Sequence, residues 1–265
     1  MKLPAGVVAR KLIAEYSHQS VVIENNQLKL GDSVSIEKHL LSTLLNDKQA
    51  LDVPISELRH QILPSSEILS KHADASQVAE LRNHIVASHW ITRYSMDNPG
   101  CPGISEPQLR ELCALVNKET ISEVLYKNAW GKKVALGEYR QLPIAVKSNP
   151  LSIFPYHIEV PALMNRLFEW RNENPYKLHP IIFACQALVY FLHIHPFLDG
   201  NGRCSRLVMQ GDMIRQGFLP VVYQQLKRDD YLRMIRNATY KKPDELVQWT
   251  LKAQHDELLA HVSSV

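Results

Sequence analysis

Twelve consecutive residues carry most of the chemistry legible in this chain: His195, Pro196, Phe197, Leu198, Asp199, Gly200, Asn201, Gly202, Arg203, Cys204, Ser205 and Arg206. A histidine with an ordinary pKa near about 6.5 accepts a proton at neutral pH, which makes His195 a candidate general base. Asp199 offers a hard anionic oxygen of the kind that Mg²⁺ or Mn²⁺ takes while sharing phosphate oxygens and water. Gly200, Asn201 and Gly202 can turn so that successive backbone N–H groups converge on one anion, and the start of a helix favours negative charge at that point. Arg203 and Arg206 stand three residues apart, so on a helix they share a face and can grip different phosphates. Together these residues describe a phosphate-chain site with a base beside it.

The flanking sequence supplies the elements that must hold this loop. The run from His179 to His193 is apolar almost all round and is expected to form the central helix of the core. Cys204 to Gln216 continues as the next helix, with Gly217 at its end. Further helices are expected at Ala5–Tyr16, Ser33–Asn46, Pro54–Leu63, Ser76–Thr92, Ser105–Ile121, Val160–Asn172, Asp229–Ala238 and Asp244–His261. Ser20 to Asn25 is strand-like by propensity, although Ser20 could equally cap a turn. The stretches Tyr139–Val146 and Ser152–Phe154 flank Ser148-Asn149-Pro150 and suggest a short β-hairpin, the one place where strands are expected. The chain therefore reads as all-α with a single hairpin.

Composition narrows the class. The 265 residues are 45% hydrophobic and 22% charged with a net charge of +3, an ordinary globular balance that gives no reason to expect nucleic acid or an acidic membrane surface. Cys101, Cys113, Cys185 and Cys204 form no CxxC pair. With no apolar leader at the start and no run of about 18 apolar residues, a cytoplasmic or nuclear setting without a membrane span is expected. No P-loop and no HExxH pattern occurs.

His195 to Arg206 resembles the signature of Fic-domain proteins, HPFx(D/E)GNGRxxR, at every specified position. The likeness extends to Gly137-Glu138-Tyr139-Arg140 with Ile144-Ala145-Val146, which resemble the Fic flap hairpin. It extends also to Ser20–Asn25, which fits the inhibitory pattern (S/T)xxxE(G/N) of class II members, with Asn25 in place of the commoner Gly. On this resemblance the chain divides into an N-terminal helical region, 1–104, carrying the inhibitory motif, and a Fic core, 105–265, with its flap at about 137–156 and its active-site loop at 195–206.

The resemblance implies a protein adenylyltransferase that moves AMP from ATP to a Ser, Thr or Tyr hydroxyl of a target protein. It makes His195 the base, Asp199 the Mg²⁺ ligand, and Gly200, Asn201, Gly202, Arg203 and Arg206 the phosphate binders. Tyr231 becomes a candidate adenine contact, with Thr239 or Asn237 at the place of a family Asn. Ile144 and Val146 on the flap would cover the target side chain. Glu24 would pair with Arg206, keep it from the γ-phosphate and hold the enzyme back, and could position water for removal of AMP. A homodimer is implied by the same resemblance. Two alternatives stay open: a Fic-fold transferase for another nucleotidyl or phosphate-containing group, and a non-catalytic Fic-fold binding protein.

Overall fold

A computed structural model of the chain describes residues 5–45, 51–70, 73–99, 102–123, 134–145, 153–173, 177–224 and 226–262. The described residues form helices joined by turns and loops, with no strand among them. In chain order the helices are α1 (Ala5–Lys11), α2 (Ile13–Val22), α3 (Leu30–Thr43), α4 (Ile55–Leu58), α5 (Ser66–Leu69), α6 (Ala75–Asp97) and α7 (Glu106–Asn117). A 3₁₀ turn at His157–Glu159 then leads into α8 (Val160–Glu173), α9 (Pro180–Ile194), α10 (Asn201–Arg215), α11 (Arg228–Thr239) and α12 (Asp244–Val262).

Local sequence explains several of these boundaries. Ser105 caps α7: its Oγ accepts from the Gln108 N–H at 3.4 Å, while the Gln108 side chain takes the Ser105 N–H at 2.8 Å. Asp74 caps α6 by accepting from the Gln77 N–H at 2.9 Å. Pro180 opens α9 in the first turn, where its missing N–H costs nothing.

Two expectations change. Ser20–Asn25 is not a strand: Ser20 to Val22 close α2, and Ile23 to Asn25 form a turn. The N–H of Asn26 reaches the Val21 carbonyl and that of Asn25 reaches Val22, with Asn25 left-handed at φ 71°. This is a Schellman ending, and it explains why Gly or Asn suits the last position of the motif. The hairpin is likewise absent from its described flanks, 139–145 and 153–154, which carry no strand. There the backbone pairs with the motif loop instead of with a partner strand: the Arg140 N–H donates to the Pro196 carbonyl at 2.8 Å.

The burial pattern also shifts the centre of the molecule. The apolar helix α9 leaves Ile182, Gln186 and His193 exposed, whereas α10 is buried at every residue from Arg203 to Arg215. α10 packs between α6 and α9. The largest apolar cluster runs from Ile13 to Val222 and takes residues from both sides of the boundary expected at 104/105. Because α10 is rich in polar residues, it can be buried only if they are paired. At its far end Asp212 accepts from Arg171 at 3.1 Å and from Arg215, and Arg171 also donates to the carbonyls of Ile104 and Pro102, tying down the loop before α7. Replacing Asp212 by Ala leaves both cations without this carboxylate, and should cost about 3–5 kcal/mol in urea unfolding. A loss well under 1 kcal/mol would show that this ionic knot does not matter to the core.

Candidate active site

The loop from α9 to α10 is held from several directions. α9 ends with His195 in the left-handed region at φ 50°, a conformation that a non-glycine residue adopts only when its surroundings enforce it. Buried Arg140 enforces it here. Its Nε donates to the His195 carbonyl at 2.8 Å, and its Nη2 donates to the Pro155 carbonyl at 2.6 Å. Phe197 is fully buried against Tyr139 and Phe191. The Asn201 amide fastens the same corner, accepting from the Phe197 N–H at 3.0 Å and donating to its carbonyl at 2.8 Å. Asn201, expected beside the phosphates, thus has both ends of its side chain engaged within the loop.

Two glycines are required by close neighbours. Gly200 sits at φ 80°, where a Cβ would lie 2.5 Å from the Asn117 amide. At Gly202 a Cβ would lie 2.1 Å from Glu24 Oε1. The second glycine therefore makes room for a carboxylate that arrives from α2, far away in sequence.

The chemistry-bearing side chains fall into place around this frame. The His195 Nδ1 lies 3.3 Å from the Leu192 carbonyl, which can only accept, so Nδ1 carries the proton and Nε2 is left with its lone pair. Phe154 packs on the ring at 4.5 Å between centroids. Burial drives the His195 pKa down to about 4, outweighing its bond to the Leu192 carbonyl, so the ring is neutral at physiological pH. Asp199 is 43% exposed; its carboxylate accepts from the Gly200 N–H at 2.7 Å and from the Ser122 hydroxyl.

Both motif arginines are almost wholly buried and both are held by acids. The Arg206 Nε donates to Ser20 Oγ, and its Nη2 donates to the Ser20 carbonyl and to Glu24 Oε1, all at 2.7 Å. Ser20 and Glu24, one turn apart, thus act together, and the cation also meets the carbonyl end of α2, where positive charge is favoured. Burial works against the Arg206 charge, but Glu24, with Tyr231 adding to it, holds the pKa above the usual arginine value. Arg203 pairs with Glu80 of α6 at 3.0 Å and with Asn117 Oδ1 at 3.1 Å. Glu24, Glu80, Asp199, Gly200, Gly202 and Arg203 line one polar cleft of about 420 Å³.

The remaining candidates lie elsewhere. Tyr231 is buried behind the site, with Arg206 5.7 Å above its ring and Tyr223 beside it. Thr239 lines a separate cavity of about 450 Å³ between α9 and the end of α11, together with Trp170 and Tyr190. Ile144 is half-buried in an extended segment, and Val146 lies outside the described residues. Sequence reasoning missed Glu80, Asn117 and Ser122 as members of the site and read Arg140 only as part of the flap stretch. Nothing in the local pattern of the first three marks them, since each joins the loop only through tertiary packing.

Comparison with known proteins points to one family. The Fic/DOC family matches residues 106–211. The chain carries a Fic domain. Over 103 residues it is 36% identical to the protein named Protein adenylyltransferase Fic of Drosophila grimshawi and 37% identical to that of Drosophila mojavensis. These matches cover 38% of the chain and about a fifth of each relative's length. Among solved structures, a Fic-1 fragment from C. elegans superposes with a TM-score of 0.68 at 18% identity, covering 100% of this chain and 67% of that one. A Fic domain containing signaling protein from Bacteroides thetaiotaomicron gives a TM-score of 0.65 at 21% identity, over 93% and 85% of the two chains. The fold likeness thus includes the helices before the Fic domain.

The state of His195 gives a direct expectation. Followed by NMR, its imidazole should titrate near 4 and stay neutral as pH falls through the range where an exposed histidine becomes charged. A midpoint near about 6.5 would show that Phe154 and the loop do not exclude water from the ring.

Proposed function

We propose that this chain is a protein adenylyltransferase that moves AMP from ATP to a Ser, Thr or Tyr hydroxyl of a target protein, and that Glu24 restrains it. One observation carries the proposal. A neutral His195, a partly exposed Asp199 carboxylate and two buried arginines are held together by one loop and the first turns of the helix that follows it in a Fic domain. The names of the Drosophila relatives point the same way.

The residues divide the work as follows. His195 Nε2 takes the proton of the target hydroxyl as its oxygen attacks the α-phosphorus. The bond from the α-phosphorus to the bridging oxygen breaks, and pyrophosphate leaves. Arg203 and Arg206 grip the outer phosphates, and the start of α10 favours the negative charge between them. Asp199, with one exposed carboxylate on a polar cleft, fits Mg²⁺ or Mn²⁺ completed by water and phosphate oxygens. When bound, that ion offsets charge on the leaving group. Among the described residues no group of three or more acidic, His or Cys side chains gathers to bind a metal alone, so the substrate would complete the site.

Glu24 acts by occupying Arg206. A triphosphate would take the same N–H groups that now reach the carboxylate, so the two compete for one cation. The same carboxylate could hold a water for removal of AMP from a modified target. The flap, with Ile144 and Val146, would place the target hydroxyl, and Tyr231 would act behind Arg206. Assembly as a homodimer belongs to this proposal on family resemblance.

Incubation with ATP labelled at the α- or γ-phosphate tests the reaction class. Glu24→Gly should raise α-label transfer to protein by about tenfold or more, while His195→Ala should abolish it. Label arriving from the γ-phosphate, or transfer that survives loss of His195, would overturn the assignment.

A further inference from the structure

An ion pair that is 31% exposed on its acidic side is worth little unless its partners are held in place beforehand. Glu24 stands on a turn, so something must fix that turn. The fixing comes from two residues further on. Asn26 is 4% exposed, and its amide is fully engaged. Nδ2 donates to the Gln77 carbonyl at 3.0 Å and to Glu80 Oε2 at 2.8 Å, while Oδ1 accepts from the Leu28 N–H at 3.0 Å. Beside it, the Gln27 N–H donates to Gln77 Oε1 at 2.7 Å. The turn bearing Glu24 is thus stapled to the first turns of α6.

Glu80 is shared between two groups. While Oε2 accepts from Asn26, Oε1 pairs with Arg203 at 3.0 Å. A continuous polar chain therefore runs from the turn carrying Glu24, through Asn26 and Glu80, to the first motif arginine, while Glu24 itself holds the second. Each motif arginine is held by an acid from outside residues 106–211, and Asn26 joins the two contacts.

We propose that Asn26 is a positioning residue that seats Glu24 on Arg206 by latching the turn to Gln77 and Glu80 of α6. This rests on the restraint of Arg206 by Glu24 proposed above. Loss of the Asn26 amide frees the turn, lowers the local concentration of the carboxylate around Arg206 and lets the outer phosphate of ATP compete. Asn26 touches neither arginine; its reach to Arg206 passes through Glu24, and the Glu24→Gly background separates this route from the one to Arg203 through Glu80.

The test is a double-mutant cycle on initial rates of α-labelled AMP transfer, with wild type, Asn26→Ala, Glu24→Gly and the double variant. Thermal melting of each protein checks that it is folded. Asn26→Ala should raise transfer about 3- to 10-fold over wild type, and in the Glu24→Gly background it should change nothing. A rate unchanged or lowered by Asn26→Ala, or a double variant slower than Glu24→Gly, would overturn the latch and give Asn26 a merely structural part. Should Glu24→Gly itself match wild type, both the restraint and the latch fall; a rise in Glu24→Gly with none in Asn26→Ala removes the latch alone. If Asn26→Ala does not fold, Gln77→Ala opens the neighbouring staple and carries the same expectation with a smaller rise. No rise in that variant would overturn the latch as well.

Discussion

A guanidinium at 5% exposure must always have an anion beside it, and most of this structure follows from that constraint on Arg206. Among the described residues, Glu24 is the one acid shown in contact with it. His84, buried nearby, is kept neutral by burial with Arg206 and Arg203 adding to the effect, and burial likewise keeps the Tyr16 and Tyr231 phenols protonated. Ser20 supplies two oxygens but no charge. Glu24 is therefore the one acidic partner among the described groups shown on Arg206. On the proposed function a nucleotide phosphate would have to replace it, and the burial of α10 would set up that contest.

The loop that feeds α10 solves a second problem, which is to hold polar residues rigidly at the end of an apolar helix. Arg140 keeps His195 in a left-handed conformation, Asn201 closes the loop on Phe197, and Asn117 lies against Gly200 and Arg203. None of these side chains needs to touch a reacting atom. Their bonds remove the freedom that a catalytic loop would otherwise have to lose on meeting its substrate. The same packing half-buries the His195 ring and keeps it neutral.

The sequence disclosed this site unevenly, for physical reasons. The motif from His195 to Arg206 was legible because its residue types are dense and each has distinct chemistry. The capped starts of α7 and α9 were legible because Ser105 and Pro180 act on their own neighbours. The centre of the core was misjudged, because α10 is buried through paired charges and not through apolar side chains. Ser20–Asn25 looked strand-like because Val21, Val22 and Ile23 are β-branched, yet packing on α6 and α10 makes it the end of a helix. Glu80 and Asn117 were invisible, and Arg140 was legible only as part of the flap stretch, since each meets the loop across a long sequence gap.

On the proposed function, Glu24 and the outermost phosphate compete for one cation. Calorimetric titration of wild type and Glu24→Gly with both ATP and ADP tests it most directly, because the two nucleotides differ only in the phosphate that Arg206 would hold. Wild type should bind ATP and ADP with similar affinity, whereas Glu24→Gly should favour ATP by about tenfold or more. An ATP preference that is the same in both proteins would contradict the claim.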